Sequence, residues 1–306
     1  NLNKSSPSPY LVLFVGLLAV STASIFIRLA QAEAPSVVIA ALRLTLAGIM
    51  LTPIMLARHR SEVRAFTRQQ VGLMALSGVF LAIHFATWIT SLEYVSVLVS
   101  VVLVTTNPLW VALFAPLLLH ERLPRRTLLG ILIAMGGGVL ISLTPDVSTA
   151  AQDNLALGSA LSIAGAITVA LYMIIGRRLR AKLSLLPYIW LTYCSAAIVL
   201  LLMVALTGQS LLGYSALTYF WMLMTALGPQ LIGHSSFNYA LGHLPAAYVS
   251  LVVLAEPLGS TILAMLFLGE MPGLPQIAGA VLILCGVIYG RQNHSAPQQR
   301  TPGGVP

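Results

Sequence analysis

The stretch NPLWVALFAPLLLHERLPRRTLLGILIAMGG, residues 107–137, decides the fold because its pattern returns at 256–286 as EPLGSTILAMLFLGEMPGLPQIAGAVLILCG. In both stretches a proline, a glutamate and two glycines occur at the same spacing, and equivalent residues are 149 positions apart. The pairs are Pro108 and Pro257, Glu121 and Glu270, Gly130 and Gly279, and Gly137 and Gly286. A constant offset without a gap indicates an internal repeat of the chain.

The repeat extends from the first apolar segment to the last, since Gly16 and Arg28 find Gly165 and Arg177 at the same offset. Each copy contains five apolar segments. Because five is odd, the second copy enters the membrane from the opposite side and lies inverted relative to the first. Inverted repeats are typical of secondary transporters, which hold their substrate near the midplane between the repeats. The pattern therefore predicts a first repeat at 10–144 and a second, inverted repeat at 155–290.

The composition requires a bilayer as solvent. Of the 306 residues, 58% are hydrophobic and 8% are charged, whereas a soluble domain carries about 25% charged residues. Apolar runs of about 20 residues can span a hydrocarbon core of about 30 Å. Such runs lie at 10–30, 36–57, 70–91, 95–119, 127–144, 155–175, 186–206, 215–240, 246–268 and 274–290. We therefore predict an all-α integral membrane protein with ten transmembrane helices in two inverted five-helix repeats.

The basic residues are gathered on one side of the predicted membrane. When the loops are assigned alternately, 14 of the 16 Lys and Arg residues fall on one side. These are Lys4, Arg58, Arg60, Arg64, Arg68, Arg122, Arg125, Arg126, Arg177, Arg178, Arg180, Lys182, Arg291 and Arg300. The asymmetry follows the positive-inside rule and places both termini in the cytoplasm. It also explains the net charge of +8 without a nucleic-acid partner.

The ends and the cysteines carry no predicted chemistry. Residues 1–9 and 291–306 are polar and rich in Pro, Ser and Gln, which predicts disordered cytoplasmic termini. Cys194 and Cys285 both fall within apolar segments, where a free cysteine packs as a small hydrophobe. Neither a disulfide framework nor a metal site is expected.

Two ionisable residues lie inside predicted spanning segments, Arg43 in the second and Glu256 in the ninth. Each costs about 2.5–3.5 kcal/mol on insertion scales, so each requires a reason. Their depths are comparable, which allows them to neutralise each other or to bond backbone groups freed at Pro257. The alternative is functional, with Glu256 carrying a proton or meeting a substrate amine.

Pro108 and Pro257 occupy equivalent points of the fourth and ninth segments. Each proline removes one helical hydrogen bond and clashes with the preceding turn, so a bend is expected in both helices. Two symmetric bends suit a rocking gate, and a fixed structural bend explains them equally well.

Four segments carry polar residues on one helical face, since positions four and seven apart lie together on a helix. These faces hold His84, Thr87, Trp88 and Ser91; Thr105, Thr106 and Trp110; Thr168 and Tyr172; and Gln230, His234 and Asn238. One polar face is explained by a hydrogen bond between helices. Four such faces favour a shared wet pocket, whose predicted substrate-binding residues are His84, Thr87, Trp88, Thr106, Thr168, Tyr172, His234 and Asn238.

Enzyme motifs are absent from the sequence. His120 and Glu121 begin a zinc-protease pattern, but Pro124 occupies the place of the second histidine. No Gly-x-Ser-x-Gly elbow and no phosphate-binding lysine loop occur. Glu121 and Glu270 are interpreted as carboxylates at helix starts. We therefore expect neither enzymatic activity nor a cofactor.

These residues resemble the drug/metabolite transporter superfamily in its EamA-type ten-helix branch, over about residues 10–290. The resemblance rests on the paired Pro, Glu and Gly pattern and on Arg43. The segment around His84 further resembles the YddG-type amino-acid exporters, in which a histidine of the third helix and aromatic residues around the cavity matter. It implies a bacterial inner-membrane exporter, and Thr87, Thr106 and Thr168 in place of rings imply less selectivity for aromatic substrates.

The charge inventory limits the substrate independently. A phosphorylated substrate requires several cations at the binding depth, and Arg43 is the one available. A small amino acid or similar neutral, zwitterionic metabolite is therefore the first expectation, exported by alternating access from a monomer or weak homodimer in contact with membrane lipid. The alternatives are a broad exporter of hydrophobic cations, an intramembrane enzyme and a channel.

Overall fold

The computed structural model describes residues 7–95, 97–119, 124–142, 154–268 and 273–290, and within these ranges the regular structure is helical with no strand. The first half contains α1 (Pro9–Ser21), α2 (Ala23–Ala30), α3 (Ser36–Arg58), α4 (Arg60–Arg64), α5 (Arg68–Tyr94), α6 (Val97–Val104), α7 (Asn107–Leu119) and α8 (Arg125–Ser142). The second half contains α9 (Leu155–Arg180), α10 (Leu185–Leu206), α11 (Ala216–Thr225), a π-helical segment (Ala226–His234), α12 (Ser235–Leu241), α13 (Ala246–Val253), α14 (Glu256–Leu268) and α15 (Leu274–Gly290).

Seven helical stretches in the described residues are long and apolar enough to cross a membrane. They are Pro9–Ala30, Ser36–Arg58, Arg68–Tyr94, Val99–Leu119, Ala156–Arg180, Leu185–Leu206 and Ala246–Phe267. The other predicted crossings fall in α8, in α15 and in the run from α11 to α12. The protein is therefore helical with seven candidate spans, and the count of ten stays a prediction. Glu121, Glu270 and the terminal segments before residue 7 and after 290 lie outside the described residues.

The helices α5 and α9, which carry much of the predicted polar pocket, begin at polar caps. At the start of α5 the Thr67 hydroxyl accepts from the Gln70 N–H at 3.2 Å, and the Gln70 side chain accepts from the Thr67 N–H at 2.9 Å. At the start of α9 the Asn154 side chain accepts from the Leu157 N–H at 3.0 Å. Such caps satisfy backbone donors that have no partner within the helix. The two helices then pack along each other.

The chain is interrupted at equivalent points of its two halves. Between α6 and α7 the Thr106 N–H donates to the Leu103 carbonyl at 3.2 Å. Between α13 and α14 the Ala255 N–H donates to the Val252 carbonyl at 3.0 Å, which is the same turn at the offset of 149. Proline accounts for both breaks, because Pro108 and Pro257 cannot donate to the preceding helix. A gating role for these breaks stays a prediction.

Helices α8 and α15 cross through glycines in a reciprocal arrangement. A β-carbon at Gly130 would lie 2.6 Å from the carbonyl oxygen of Gly286, and one at Gly137 would collide with the carbonyl oxygen of Gly279. Shifting both members of the first contact by 149 positions gives the second contact. Such an exchange is expected at a crossing between two equivalent bodies related by a two-fold rotation, and the inverted arrangement of the two halves stays a prediction.

Two carboxylates, Glu33 before α3 and Glu62 in α4, join the halves near opposite ends of α3. The Glu33 carboxylate accepts from the Ser215 backbone N–H at 2.8 Å, and this hydrogen bond lowers the pKa of the Glu33 carboxyl. The Glu62 carboxylate accepts from the Ser184 hydroxyl and contacts His59 Nδ1 at 3.3 Å. Partial burial opposes ionisation of Glu62, but the hydrogen bonds from Ser184 and His59 outweigh it, so the pKa of Glu62 is lowered.

The glycine crossing yields a first prediction from neighbouring positions. We expect Gly137→Ala to lower the melting temperature in detergent, because the new methyl group overpacks the crossing, an effect of about 1–3 kcal/mol. Gly136→Ala is the matched control, since a β-carbon there meets no atom within 4 Å and alanine favours a helix by about 1 kcal/mol. Equal melting temperatures for the two variants would contradict the crossing.

Candidate functional site

A cavity of about 40 Å³ lies where α1, α3, α5, α9, the π-helical segment and α14 meet. Its polar and aromatic lining residues are Arg43, His84, Trp88, Thr105, Asn107, Tyr172, His234, Phe237 and Glu256. Valines supply much of the apolar wall, namely Val20, Val104, Val169 and Val253.

The structure brings some of the predicted site residues to this cavity and leaves others behind it. His84, Trp88, Tyr172 and His234 line the cavity, as do Arg43 and Glu256. Asn238 is fully buried one layer back, where its Nδ2 donates to the Tyr172 hydroxyl and, at 2.8 Å, to the His234 carbonyl. It therefore orients the aromatic wall from behind.

Three predicted threonines are turned toward their own helices. Thr87 donates to the Ile83 carbonyl at 2.8 Å, and Thr168 donates to the Ala164 carbonyl at 2.8 Å. Thr106 donates to the Leu103 carbonyl at 2.7 Å. Because these hydroxyls are occupied locally, and the three residues are not among those that line the cavity, a direct substrate contact by them stays a prediction.

Arg43 is buried completely and is held by neutral groups. Its Nε donates to Gln230 Oε1 at 2.9 Å, and its guanidinium carbon lies 4.0 Å from the centroid of the Phe85 ring. Among the described residues, its Nη1 has no hydrogen-bond partner. The sequence allowed an ion pair between Arg43 and Glu256, but in the described part of the chain the ion pair within 4.0 Å is that of His59 and Glu62. The pairing is therefore not realised, because an amide and a ring hold the guanidinium instead.

Glu256 brings a carboxyl group to the same cavity. It is the first residue of α14 and is 8% exposed. Its backbone carbonyl accepts from the Ser21 hydroxyl at 3.5 Å, while its carboxylate has no hydrogen bond to any described residue. The position equivalent to Glu256 in the first half is Asn107, whose Oδ1 is buried without a partner. The cavity thus holds one guanidinium group and one carboxyl group that do not touch each other.

His234 stands at the centre of an aromatic cluster beside these charges. Its ring centroid lies 5.1 Å from that of Phe85, 5.9 Å from Phe237, 6.2 Å from His84 and 6.3 Å from Tyr172. These separations fall in the range of favourable aromatic pairs. The cluster forms a rigid wall of rings with polar edges.

Several polar atoms of the residues around the cavity are buried and have no hydrogen-bond partner among the described residues. They are Trp88 Nε1, Asn107 Oδ1, His234 Nδ1 and Arg43 Nη1, and all four belong to residues that line the cavity. Buried polar groups in folded proteins nearly always have a hydrogen-bond partner, so each unpaired one requires an explanation. Two of the four are donors only and one is an acceptor only, which matches a small ligand that carries both kinds of group.

His84 marks where the symmetry of the halves breaks. Its Nδ1 donates to the Gly165 carbonyl at 2.9 Å, which leaves Nε2 of the neutral ring as an acceptor. The equivalent crossing in the other half is formed by Gly233 and Gly16, and a β-carbon at Gly233 would lie 3.5 Å from the Gly16 carbonyl oxygen. The same helix crossing therefore occurs twice, once with bare backbone and once with an imidazole beside the cavity.

The π-helical segment carries two residues of the polar face predicted from the sequence, Gln230 and His234. A proline, Pro229, lies inside the segment, and π-helical turns occur frequently at functional sites. The wider turn presents Gln230 to Arg43 and His234 to the cavity. Sequence reasoning placed Gln230 on a polar face but did not assign it to the site. It missed Phe85 altogether, because one more apolar residue in an apolar helix gives no signal.

The apolar helices that are long enough to cross a membrane, and the cavity that lies between them, define a multi-pass membrane protein. The model of the EamA-like transporter family matches this chain twice, at residues 7–143 and 156–289. The chain therefore belongs to the EamA-like transporter family, a family of membrane transporters and a branch of the drug/metabolite transporter superfamily. The resemblance to the EamA-type transporters is confirmed, while the likeness to the YddG-type exporters stays a prediction.

Similar proteins extend over most of the chain. A protein of Clostridium kluyveri described as an uncharacterized transporter is 23% identical over 79% of this chain and 78% of its own length. The uncharacterized transporter YetK of Bacillus subtilis is 23% identical over 94% of this chain and 87% of its own length. A protein crystal structure superposes with a TM-score of 0.74 over 93% of this chain and 96% of its own chain, at 20% identity, which shows a shared fold.

Removing one unpaired donor tests the cavity wall. We expect Trp88→Phe to raise the apparent KM for transport by roughly two- to tenfold, because one hydrogen bond contributes about 0.5–1.5 kcal/mol. Trp190→Phe is the control, because its Nε1 donates to Thr52 Oγ1 at 2.9 Å, away from the cavity. Uptake kinetics in liposomes measure the effect, and a wild-type KM in Trp88→Phe would remove that donor from the site.

A second test concerns His84. We expect His84→Ala to lower transport by roughly tenfold or more while the protein stays folded, because the substitution opens the aromatic wall and frees the Gly165 carbonyl. His243→Ala is the control, since His243 is exposed near the end of α12. Uptake is compared at equal amounts of monodisperse protein. Equal uptake rates in both variants would contradict the assignment of His84 to the substrate-binding cavity.

Proposed function

We propose that this protein is a secondary transporter that exports small amino acids or similar neutral, zwitterionic metabolites by alternating access through the central cavity. The observation that carries the proposal is the presence of Arg43 and Glu256 in one cavity without contact between them. A buried charge without a partner is costly, and a zwitterion supplies both missing partners at once. Its carboxylate would meet Arg43, and its ammonium group would meet Glu256.

The remaining groups of the cavity suit the same class of substrate. The Trp88 Nε1 donor adds to the carboxylate side, while Asn107 Oδ1 and the acceptor nitrogen of His84 are available to an ammonium group. The valine walls suit an aliphatic side chain. Phosphorylated substrates are disfavoured, because the cavity lining contains one arginine and no lysine.

The architecture that we propose for this cycle has ten crossings in two inverted five-helix repeats, with both termini in the cytoplasm of a bacterial inner membrane. The charge asymmetry of the loops, the double match of the family model and the reciprocal glycine crossing support it. The interruptions at Pro108 and Pro257 supply equivalent hinge points at which the two halves would rock.

A YddG-type preference is the finer part of the proposal. The stack of His84 on Trp88, with ring centroids 5.9 Å apart and planes 11° apart, supports a substrate-facing histidine of the third segment. The valine walls would accept aliphatic amino acids as readily as aromatic ones.

A broad exporter of hydrophobic cations is the second candidate. It is favoured by one observation, namely that a carboxylate without a partner, Glu256, lines the same cavity as Trp88 and Tyr172. Aromatic faces attract cations, with contributions of about 0.5–2 kcal/mol each. Under this alternative Arg43 would be structural and a carboxylate on the substrate would not matter.

Reconstitution into liposomes tests the proposal directly. We expect saturable uptake of labelled aliphatic amino acids, measured with and without an imposed pH gradient, and no uptake by liposomes that lack the protein. Uptake of hydrophobic cations without any amino-acid transport would favour the second candidate. Uptake that rises linearly with concentration would indicate a channel.

A further inference from the structure

We infer that Gln230 is the specificity-determining residue of the cavity, because it holds Arg43 without neutralising it. The inference rests on the proposed zwitterion site and assigns the selection for a carboxylate to one neutral amide. If that amide became a carboxylate, the cavity would select cations instead.

The geometry around Arg43 leaves one edge of the guanidinium for a ligand. Gln230 Oε1 occupies the Nε position at 2.9 Å, and the Phe85 ring lies against the guanidinium at 4.0 Å. The Nη1 donor is buried, has no partner and belongs to a residue that lines the cavity. A guanidinium is a rigid fork that suits a carboxylate, so fixing one position also fixes the direction of the others.

Gln230 is a neutral side chain at a buried position next to an arginine, where a carboxylate would be the usual partner. It is fully buried in the π-helical segment, and its backbone carbonyl accepts from the Ser235 hydroxyl at 3.4 Å. Its Nε2 has no hydrogen-bond partner in the part of the chain that the structure describes. An anion at this position would form an ion pair with Arg43, the arrangement that a purely structural arginine requires when buried. The amide positions Arg43 and leaves its charge to the cavity.

The charge balance of the cavity then follows from this one contact. With Gln230, the cavity presents the Arg43 guanidinium and the Glu256 carboxyl group, each without an ion-pair partner, which suits a zwitterion. With glutamate at position 230, Arg43 would be neutralised at hydrogen-bond distance. Glu256 would remain as the one uncompensated charge, which favours a cation of similar shape.

The test compares a zwitterion with a cation of the same skeleton, L-leucine and L-leucinamide. Binding to purified full-length protein is measured from the rise in melting temperature with ligand concentration. We expect wild type to bind leucine more tightly and Gln230→Glu to reverse the preference, with roughly a tenfold or greater change in the affinity ratio. Gln69→Glu makes the same chemical change at an exposed position of α5 and should keep the wild-type ratio.

A second variant separates positioning from charge. Gln230→Met keeps the length of the side chain and removes the acceptor, so it should weaken leucine binding severalfold without favouring leucinamide. This variant also serves if Gln230→Glu does not fold.

The outcomes distinguish this inference from the function on which it rests. A folded Gln230→Glu protein with the wild-type ratio, or a Gln230→Met protein with wild-type leucine affinity, overturns the role of Gln230 and leaves the zwitterion site standing. A wild-type protein that binds neither ligand, or prefers leucinamide, overturns the zwitterion site and this inference together.

Discussion

The free-energy cost of burying the Arg43 guanidinium constrains the rest of the site. An arginine inside a membrane helix is costly, and removing one partner of a buried charge costs about 3–5 kcal/mol in soluble proteins. Here the partners are an amide oxygen at 2.9 Å and the face of a phenylalanine ring. Three elements meet at this contact, since Arg43 lies on α3, Phe85 on α5 and Gln230 on the π-helical segment. The π-helical segment therefore contributes, through Gln230, one of the groups that stabilise the buried arginine.

Symmetry and asymmetry are divided between scaffold and cavity. The turns before Pro108 and Pro257 have equivalent backbone hydrogen bonds. In the glycine crossing of α8 and α15, each of the two contacts becomes the other when its residues are shifted by 149 positions. The cavity does not follow this rule, because Arg43 corresponds to Thr192 and His84 corresponds to Gly233. The backbone geometry is thus repeated in both halves, while the polar side chains that face the cavity, such as Arg43 and His84, occur in one half only.

The sequence predicted the features that depend on spacing. The constant offset gave the equivalent proline interruptions, and the spacing of His84, Trp88, Tyr172 and His234 gave the polar faces that the structure brings to one cavity. Contacts between distant segments were beyond its reach. It allowed an ion pair between Arg43 and Glu256 because their depths match, yet depth does not tell which side chain meets which. Phe85 and Gln230 hold Arg43 through contacts that no local pattern records.

The reciprocal glycine crossing has a consequence for descent. A single half-length chain that paired with a copy of itself could form both contacts, Gly130 with Gly286 and Gly137 with Gly279, from one set of residues. Such a homodimer could not form the cavity, since two first halves would supply Arg43 and Asn107 twice with no carboxylate. Two second halves would supply Thr192 and Glu256 twice with no guanidinium. A homodimeric ancestor could have formed the glycine crossing. The presence of Arg43 and Glu256 in one cavity requires two halves whose sequences have diverged within one chain.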